Sequence, residues 1–142
     1  MIDGLNNVIK QLSSFGAGAN RATGEAVFAT ALAVRNTAIA SIQERSYGNE
    51  VKRKGQGGNY YKHVAAKRGD APNTDTGVLV GSIAVEHKEN SLIAYVGTSI
   101  EYGATLEFNA WEWLDPAVNA NKKTFQNEMV KAVNREIARA QS

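Results

Sequence analysis

The side chains best suited to chemistry in this chain are basic, and they are concentrated in one segment. Residues 50–70 hold six lysines and arginines against two acids, a net charge of +4, whereas the rest of the chain sums to −2. Lysine and arginine can neutralise phosphates, and tyrosine can stack on unpaired bases. The candidate residues for such contacts are Lys52, Arg53, Lys54, Tyr60, Tyr61 and Lys62.

Three interpretations of this basic segment stay open. It is a solvated loop, a surface that contacts a neighbouring protein subunit, or a contact for nucleic acid. Sequence-specific DNA binding is the least favoured of these, because neither a recognition helix nor a known nucleic-acid module is evident in the sequence. Contact with a partner, either protein or DNA backbone, is therefore the functional hypothesis that the segment offers.

Catalytic chemistry finds little support elsewhere in the chain. Glu107, Glu112 and Asp115 are close in sequence, but acid–base catalysis needs a convergent geometry that spacing does not establish. The two histidines, His63 and His87, have no second ligand or acid at motif spacing, so we interpret both as solvated polar residues. Without a cysteine, thiolate chemistry is also excluded. We predict no enzymatic activity, no metal site and no cofactor.

Length and composition indicate one domain over residues 1–142. The hydrophobic content of 43% is enough for a single core, and we find no internal repeat or domain boundary. Neither a secretory signal nor a run of roughly 20 apolar residues is readable, so we expect no membrane partner.

Helical spacing of apolar residues marks both ends of the chain. We predict a short helix over residues 2–15, ended by the glycines at 16 and 18, and a long helix over residues 20–45. A final helix is predicted to begin at Pro116 and run to Ala140, with Asp115 as its N-cap.

The middle of the chain is predicted to be a long loop followed by a small sheet. Residues 47–69 break every periodicity, so we expect a mobile basic loop. Two alternating segments, 82–87 and 92–97, predict a β-hairpin, and residues 101–107 keep the spacing of a short helix. The order of elements is that of an α+β domain whose C-terminal helix packs on the sheet.

Turn formers and apolar residues recur at fixed spacing between residues 59 and 117. The run Ala-Pro-Asn-Thr-Asp-Thr-Gly-Val-Leu over residues 71–79 leads to Ser82-Ile83, and a tyrosine later precedes Glu-Phe and Trp-Leu-Asp-Pro-Ala. This series resembles the small neck or tail-completion proteins of long-tailed bacteriophages, which are also known as minor tail or head–tail joining proteins. The residues that carry the resemblance are Pro72, Thr76, Gly77, Leu79, Ser82, Tyr102, Glu107 and Pro116, with Tyr60 in the upstream basic loop.

The sequence departs from this family at Asn109, where glycine is usual, which puts the tight turn after Glu107 in question. The resemblance implies an α+β subunit of a six- or twelve-fold homo-oligomeric ring. The ring would lie between portal, adaptor or head-closure proteins and the tail tube or terminator, and DNA would pass non-specifically through its lumen. The loop 47–69 would then be a docking arm or face the lumen.

The resemblance also implies a location at the head–tail junction of a virion, after synthesis in the host cytoplasm, and no catalysis. Two alternatives stay open. The chain is a tail terminator that caps the tail tube, which has the same general architecture, or it is a small DNA-binding module that uses the basic loop. Sequence does not separate the neck role from the terminator role.

Overall fold

The computed structural model describes residues 2–44, 46–75, 77–109 and 111–141. Helices and two small antiparallel sheets together confirm the predicted α+β class. The elements in chain order are α1 (Ile2–Gln43), β1 (Glu50–Lys54), β2 (Tyr60–Val64), α2 (Val78–Ser82), β3 (Ala84–His87), β4 (Ala94–Gly97), α3 (Glu101–Phe108), α4 (Asp115–Ala120) and α5 (Lys122–Gln141).

One continuous helix replaces the two helices predicted at the N-terminus. Helix α1 passes through Gly16 and Gly18 without a break. A glycine inside a helix costs only about 1 kcal/mol relative to alanine. At Gly18 the missing side chain lets α5 approach, since a Cβ there would lie 2.9 Å from a carboxylate oxygen of Glu136. Packing against α5 therefore offsets the weak helix propensity of glycine. The glycines at 16 and 18, which were predicted to end the first helix, lie inside α1 instead.

The C-terminal half of α1 forms the centre of the core. Val34, Ala38 and Ile42 are buried on the face that meets the segment after residue 77. That segment contributes buried side chains from α2, from the residue that links α2 to β3, from the entry to α4 and from α4 itself. Those residues are Leu79, Ile83, Trp113 and Ala117.

The C-terminal helix packs along α1, which corrects the prediction that it packs on the sheet. Ala22 and Ala26 of α1 and Ala132 of α5 are fully or almost fully buried, so the two helices are in close contact. The Arg21 side chain makes an ion pair of 2.9 Å with Glu136. Helix α1, rather than α5, provides the main helical cover for hairpin β3–β4.

The predicted final helix is divided into α4 and α5 at Asn121. This residue is buried, and its side-chain amide donates to the Ala117 carbonyl and to the Thr37 hydroxyl at 2.8 and 2.9 Å. Its backbone leaves helical geometry at φ −107° and ψ 11°. The hydrogen bond to Thr37, a residue far away in the sequence, thus interrupts a helix that continuous apolar spacing had predicted. Pro116 lies in the first turn of α4, as predicted.

Between the helices, the structure keeps some predicted elements and changes others. Helix α3 confirms the short helix predicted over residues 101–107. The hairpin β3–β4 is shorter than predicted because residues 78–82 form helix α2, which was not predicted. The prediction that residues 47–69 have no secondary structure was wrong, because β1 and β2 pair as an antiparallel hairpin within them. Within the described residues, no helix combines the length and hydropathy needed to cross a bilayer.

Candidate functional site

The basic segment is a two-stranded ribbon with two chemically different faces. Strands β1 and β2 pair from Glu50 opposite Val64 to Lys54 opposite Tyr60. Side chains alternate between the faces of a strand, so the register assigns each residue to one side. The outward face carries Glu50, Lys52, Lys54, Tyr60, Lys62 and Val64, and the inward face carries Val51, Arg53, Tyr61 and His63. The six candidate residues are thereby divided four to two.

The inward face is attached to the turn segment by one carboxylate, Asp75. The Tyr61 hydroxyl donates to its two oxygens at 3.0 and 2.9 Å. Arg53 Nε and His63 Nδ1 lie 3.8 and 3.7 Å from the same carboxylate. Arg53 and Tyr61, expected to contact a partner, therefore already have partners within the chain. Asp75 was predicted only as a turn residue, and nothing local in the sequence indicates its role as an anchor.

The hydrogen bond that Tyr61 donates to Asp75 raises the pKa of the phenol above its ordinary value. Partial desolvation and the negative charge of Asp75 act in the same direction, because both disfavour the phenolate. Tyr61 therefore stays a neutral donor at physiological pH, as its anchoring role requires.

A second anchor, Asn73, holds the base of the hairpin. Its side-chain oxygen accepts from the Ser46 amide at 2.8 Å, and its side-chain nitrogen donates to the carbonyls of Ser46 and Val64. The Ser46 hydroxyl in turn donates to Asp70 at 2.7 Å. Three backbone groups on two separate segments are thus satisfied by one amide side chain.

The outward face combines three lysines with one exposed tyrosine. Lys52 lies directly opposite Lys62, and Lys54 directly opposite Tyr60, which is 70% exposed. The one acid of this face, Glu50, lies 3.1 Å from Lys62. Two like charges directly opposite each other destabilise a strand pair. Because it has three lysines and one acid, the outward face carries net positive charge, and most of its side chains are exposed to solvent.

Several of the residues that carry the predicted motif make structural contacts around the core. Pro72 and Leu79 are buried, and Gly77 has a φ of 78°, in the left-handed region that favours glycine. The Ser82 hydroxyl donates to the Leu79 carbonyl at 2.7 Å and hydrogen-bonds to Thr98. Thr76 lies outside the described residues.

Later in the motif, Tyr102 is partly exposed, and Pro116 is exposed in the first turn of α4.

Glu107 caps the N-terminus of α4. Its carboxylate accepts from the backbone amides of Trp113, Leu114 and Asp115 at 2.7, 2.9 and 2.9 Å. Free amides at a helix N-terminus favour such a negative partner. The prediction that Asp115 caps this helix was therefore wrong. Because its carboxylate is occupied by three amides, Glu107 has a structural role at this position.

Both histidines have structural partners, which corrects their interpretation as solvated residues. The His63 side chain is only 12% exposed beside Asp75. His87 Nε2 is 2.8 Å from the Ser91 carbonyl, and its ring stacks on Phe28 with centroids 5.0 Å apart. Within the described residues, no group of three His, Cys, Asp or Glu side chains could hold a metal ion.

The first turns of α1 form an arm that projects beyond its helical partner. Helix α5 runs antiparallel to α1, with Asn121 near Thr37 and Glu136 near Arg21. Because both helices rise equally per residue, α5 ends at the level of roughly residue 15. Before that level, α1 exposes apolar side chains at helical spacing. We call residues 5–15 the N-terminal arm, and the exposed apolar side chains that the structure describes in it are Leu5, Val8, Ile9 and Phe15.

An apolar groove lies elsewhere on the same molecule. It has a volume of about 280 Å³. Its walls come from the middle of α1, from β4, from the entry to α4 and from the start of α5. We call it the α1–β4 groove, and its lining includes Val27, Ala31, Val96, Leu114, Val118 and Phe125. Val118 and Phe125 on this lining are 43% and 37% exposed.

No protein-family model, curated protein or solved structure matches this chain. The geometry described above is therefore the basis on which a function is argued.

Proposed function

We propose that this chain is a structural subunit of the head–tail junction of a tailed bacteriophage. Copies of it would form a ring that joins the portal-side connector to the tail. The single observation that carries the proposal is that the chain presents an apolar arm and a separate apolar groove. The motif resemblance supplies the setting, and the arm and groove supply a way to assemble.

The N-terminal arm has the properties of a segment that is buried by a partner. Leu5, Val8 and Ile9 follow the i, i+3, i+4 spacing that aligns side chains on one helix face. They are 50–62% exposed, and α5 does not extend alongside them. Clustered exposed apolar residues favour interaction sites, whereas single ones are ordinary.

The arm cannot reach the α1–β4 groove of its own chain. Both features belong to one continuous helix, and Ile9 lies 18 residues before Val27 on the groove wall. At 1.5 Å per residue this separation is roughly 27 Å along a rigid axis. An arm that fills such a groove must therefore come from a second copy.

A contact between two different patches on identical subunits is heterologous. Such contacts generate rings when the rotation closes, and filaments when it does not. The arm-in-groove contact is consequently of the type that a six- or twelve-fold ring requires. A symmetric dimer would instead use one patch on both copies.

Light scattering on the purified chain and two variants tests the proposal. We expect the wild type to form a closed oligomer of six or twelve chains. The arm variant V8D/I9D and the groove variant V118D should each be monomeric, because a buried carboxylate without a partner is strongly unfavourable. Mixed together, they should form a one-to-one complex, since one intact arm and one intact groove remain.

A matched control places charges on another exposed apolar site. Leu92 and Ile93 in the loop between β3 and β4 are 52% and 60% exposed, so L92D/I93D adds the same charge outside the arm and the groove. This control should assemble like the wild type. A monomeric wild type at high concentration, or arm and groove variants that still form the ring, would contradict the proposal.

A further inference from the structure

We infer that the outward face of the β1–β2 hairpin contacts the phosphate backbone of duplex DNA. The contact residues are Lys52, Lys54, Lys62 and Tyr60. The inference deepens the proposed function and rests on it for its setting, which is the passage of DNA through the ring. It also narrows the six candidate residues to the four that the ribbon turns outward.

The outward face of the hairpin carries positive charge on both strands. Lys52 and Lys62 lie directly opposite each other in the register, and Lys54 follows two residues along the same face. Glu50 lies 3.1 Å from Lys62, so one acid accompanies three lysines. A cross-strand pair of like charges disfavours the hairpin by itself. An anionic ligand on this face would remove that repulsion.

The two faces of the hairpin make different contacts. Arg53 and Tyr61 make their contacts with Asp75 on the inward face, which ties the ribbon to the body of the protein. The outward lysines are held on this anchored platform. The tip is also unobstructed, because no atom beyond the adjoining residues lies within 4 Å of the position that a Cβ would take at Gly57 or Gly58.

The composition of the face favours nucleic acid over a protein partner. The cores of protein interfaces are enriched in aromatic residues and depleted in lysine. This face has three lysines and one tyrosine, with Val64 at its base. An acidic protein is the competing partner, and it becomes an outcome of the test below.

The same composition favours a duplex over a single strand. Proteins that bind single strands stack successive bases on several aromatic side chains, and this face offers only Tyr60. A two-stranded ribbon also has dimensions that the major groove of duplex DNA admits. Lysine heads would contact phosphates, which carry no sequence information, so binding would be non-specific.

The experiment measures fluorescence anisotropy of a labelled mixed-sequence duplex titrated with the full-length chain. Three lysine–phosphate contacts predict a roughly 40-fold loss of affinity between about 50 and about 200 mM salt for each chain that contacts the duplex. The variant K52Q/K54Q/K62Q should bind more weakly at low salt and lose most of this salt dependence. The control K88Q/K122Q/K123Q changes the net charge equally at three exposed lysines outside the hairpin and should bind like the wild type.

Several results would overturn the inference. These are no duplex binding by the wild type at low salt, equal losses in both lysine variants, and stronger binding to a single strand of the same sequence. Tighter binding of poly-glutamate than of the duplex at matched charge would assign the face to an acidic protein instead.

Light scattering on the same samples separates this inference from the proposed function. If a ring forms in the wild type and in both lysine variants but DNA binding does not depend on the lysines, the ring proposal is retained. The inferred DNA contact is then contradicted. If the chain binds the duplex through its lysines but does not form a ring, the inferred DNA contact is supported and the ring proposal is contradicted.

Discussion

The core around Trp113 and the β1–β2 hairpin are held in place by different forces. Around Trp113, apolar side chains from α1, α2 and α4 are buried together with Ile83, which links α2 to β3. The hairpin has mostly exposed side chains, and its identified ties to the body are polar ones through Asp75 and Asn73. An isolated two-stranded hairpin is only marginally stable in water. Two anchor residues thus hold the position of the candidate ligand surface.

This difference indicates where the molecule is rigid and where it can respond to a ligand. Segments with few buried apolar contacts open at a lower free energy than the core. The core supplies a fixed frame for the N-terminal arm and the α1–β4 groove. The hairpin presents its lysines on a part of the fold that can move without global unfolding.

The largest effect is expected at Trp113. Its side chain is only 2% exposed, and its indole N–H donates to the Gly103 carbonyl at 2.9 Å. Trp113→Ala should lower the free energy of unfolding by about 3–5 kcal/mol, because a large cavity forms and that carbonyl loses its donor. Urea denaturation measures the change. Phe108→Ala, at a side chain that is 85% exposed, should change stability by less than about 0.5 kcal/mol. Similar losses in the two variants would contradict the proposed core.

A smaller and local effect is expected at Asn73. Asn73→Ala leaves the Ser46 amide and the carbonyls of Ser46 and Val64 without this partner. Hydrogen exchange of the β1–β2 amides should accelerate by about 5- to 150-fold, corresponding to about 1–3 kcal/mol. Amides of α1 that pack at the core should change much less. Asn59→Ala, at the exposed tip of the hairpin, is the control. Equal acceleration in α1 would mean that hairpin and core unfold together.

The smallest effect is a pH dependence of the hairpin at alkaline pH. The folded-state pKa of Tyr61 is raised by its hydrogen bond to Asp75, so the stabilisation is complete below the ordinary tyrosine pKa of about 10. It is lost as pH rises through the folded-state value. Asp75→Asn should return the pKa of Tyr61 towards its ordinary value, as followed by NMR of the tyrosine ring. Tyr60→Phe, on the outward face, should leave the Tyr61 titration unchanged. An unaltered Tyr61 titration in Asp75→Asn would show that Asp75 does not anchor the hairpin.

Sequence patterns predicted elements well where local physics decides them. Helix α3 and Pro116 in the first turn of α4 followed from spacing and from the fixed φ of proline. The strands of β3–β4 followed from alternation, although both are shorter than predicted. The division at Asn121 was missed because its cause is a hydrogen bond to Thr37, 84 residues away. A prediction that considers only neighbouring residues cannot detect a contact between residues so far apart.

The candidate site was predicted in composition but not in arrangement. The basic residues and the tyrosines of residues 50–70 were recognised from composition alone. Their separation into an outward and an inward face depends on the pairing of β1 with β2. That pairing was missed because residues 47–69, which include the glycines at 55, 57 and 58, were predicted to be a loop. The roles of Asp75, Asn73 and Glu107 were hidden for a similar reason. Each of these side chains binds groups outside its own turn or helix.

Composition and local spacing suffice to predict the α+β class, the concentration of positive charge and the proline in the first turn of α4. These properties depend on composition and on neighbours within a few residues. Tertiary structure alone decided that residues 2–43 form one helix, that α5 packs along it and that Lys52, Lys54 and Lys62 share one open face. The physical reason is that helix–helix packing, strand register and side-chain anchors join residues far apart in the chain, and their free energies exceed the local preferences they override.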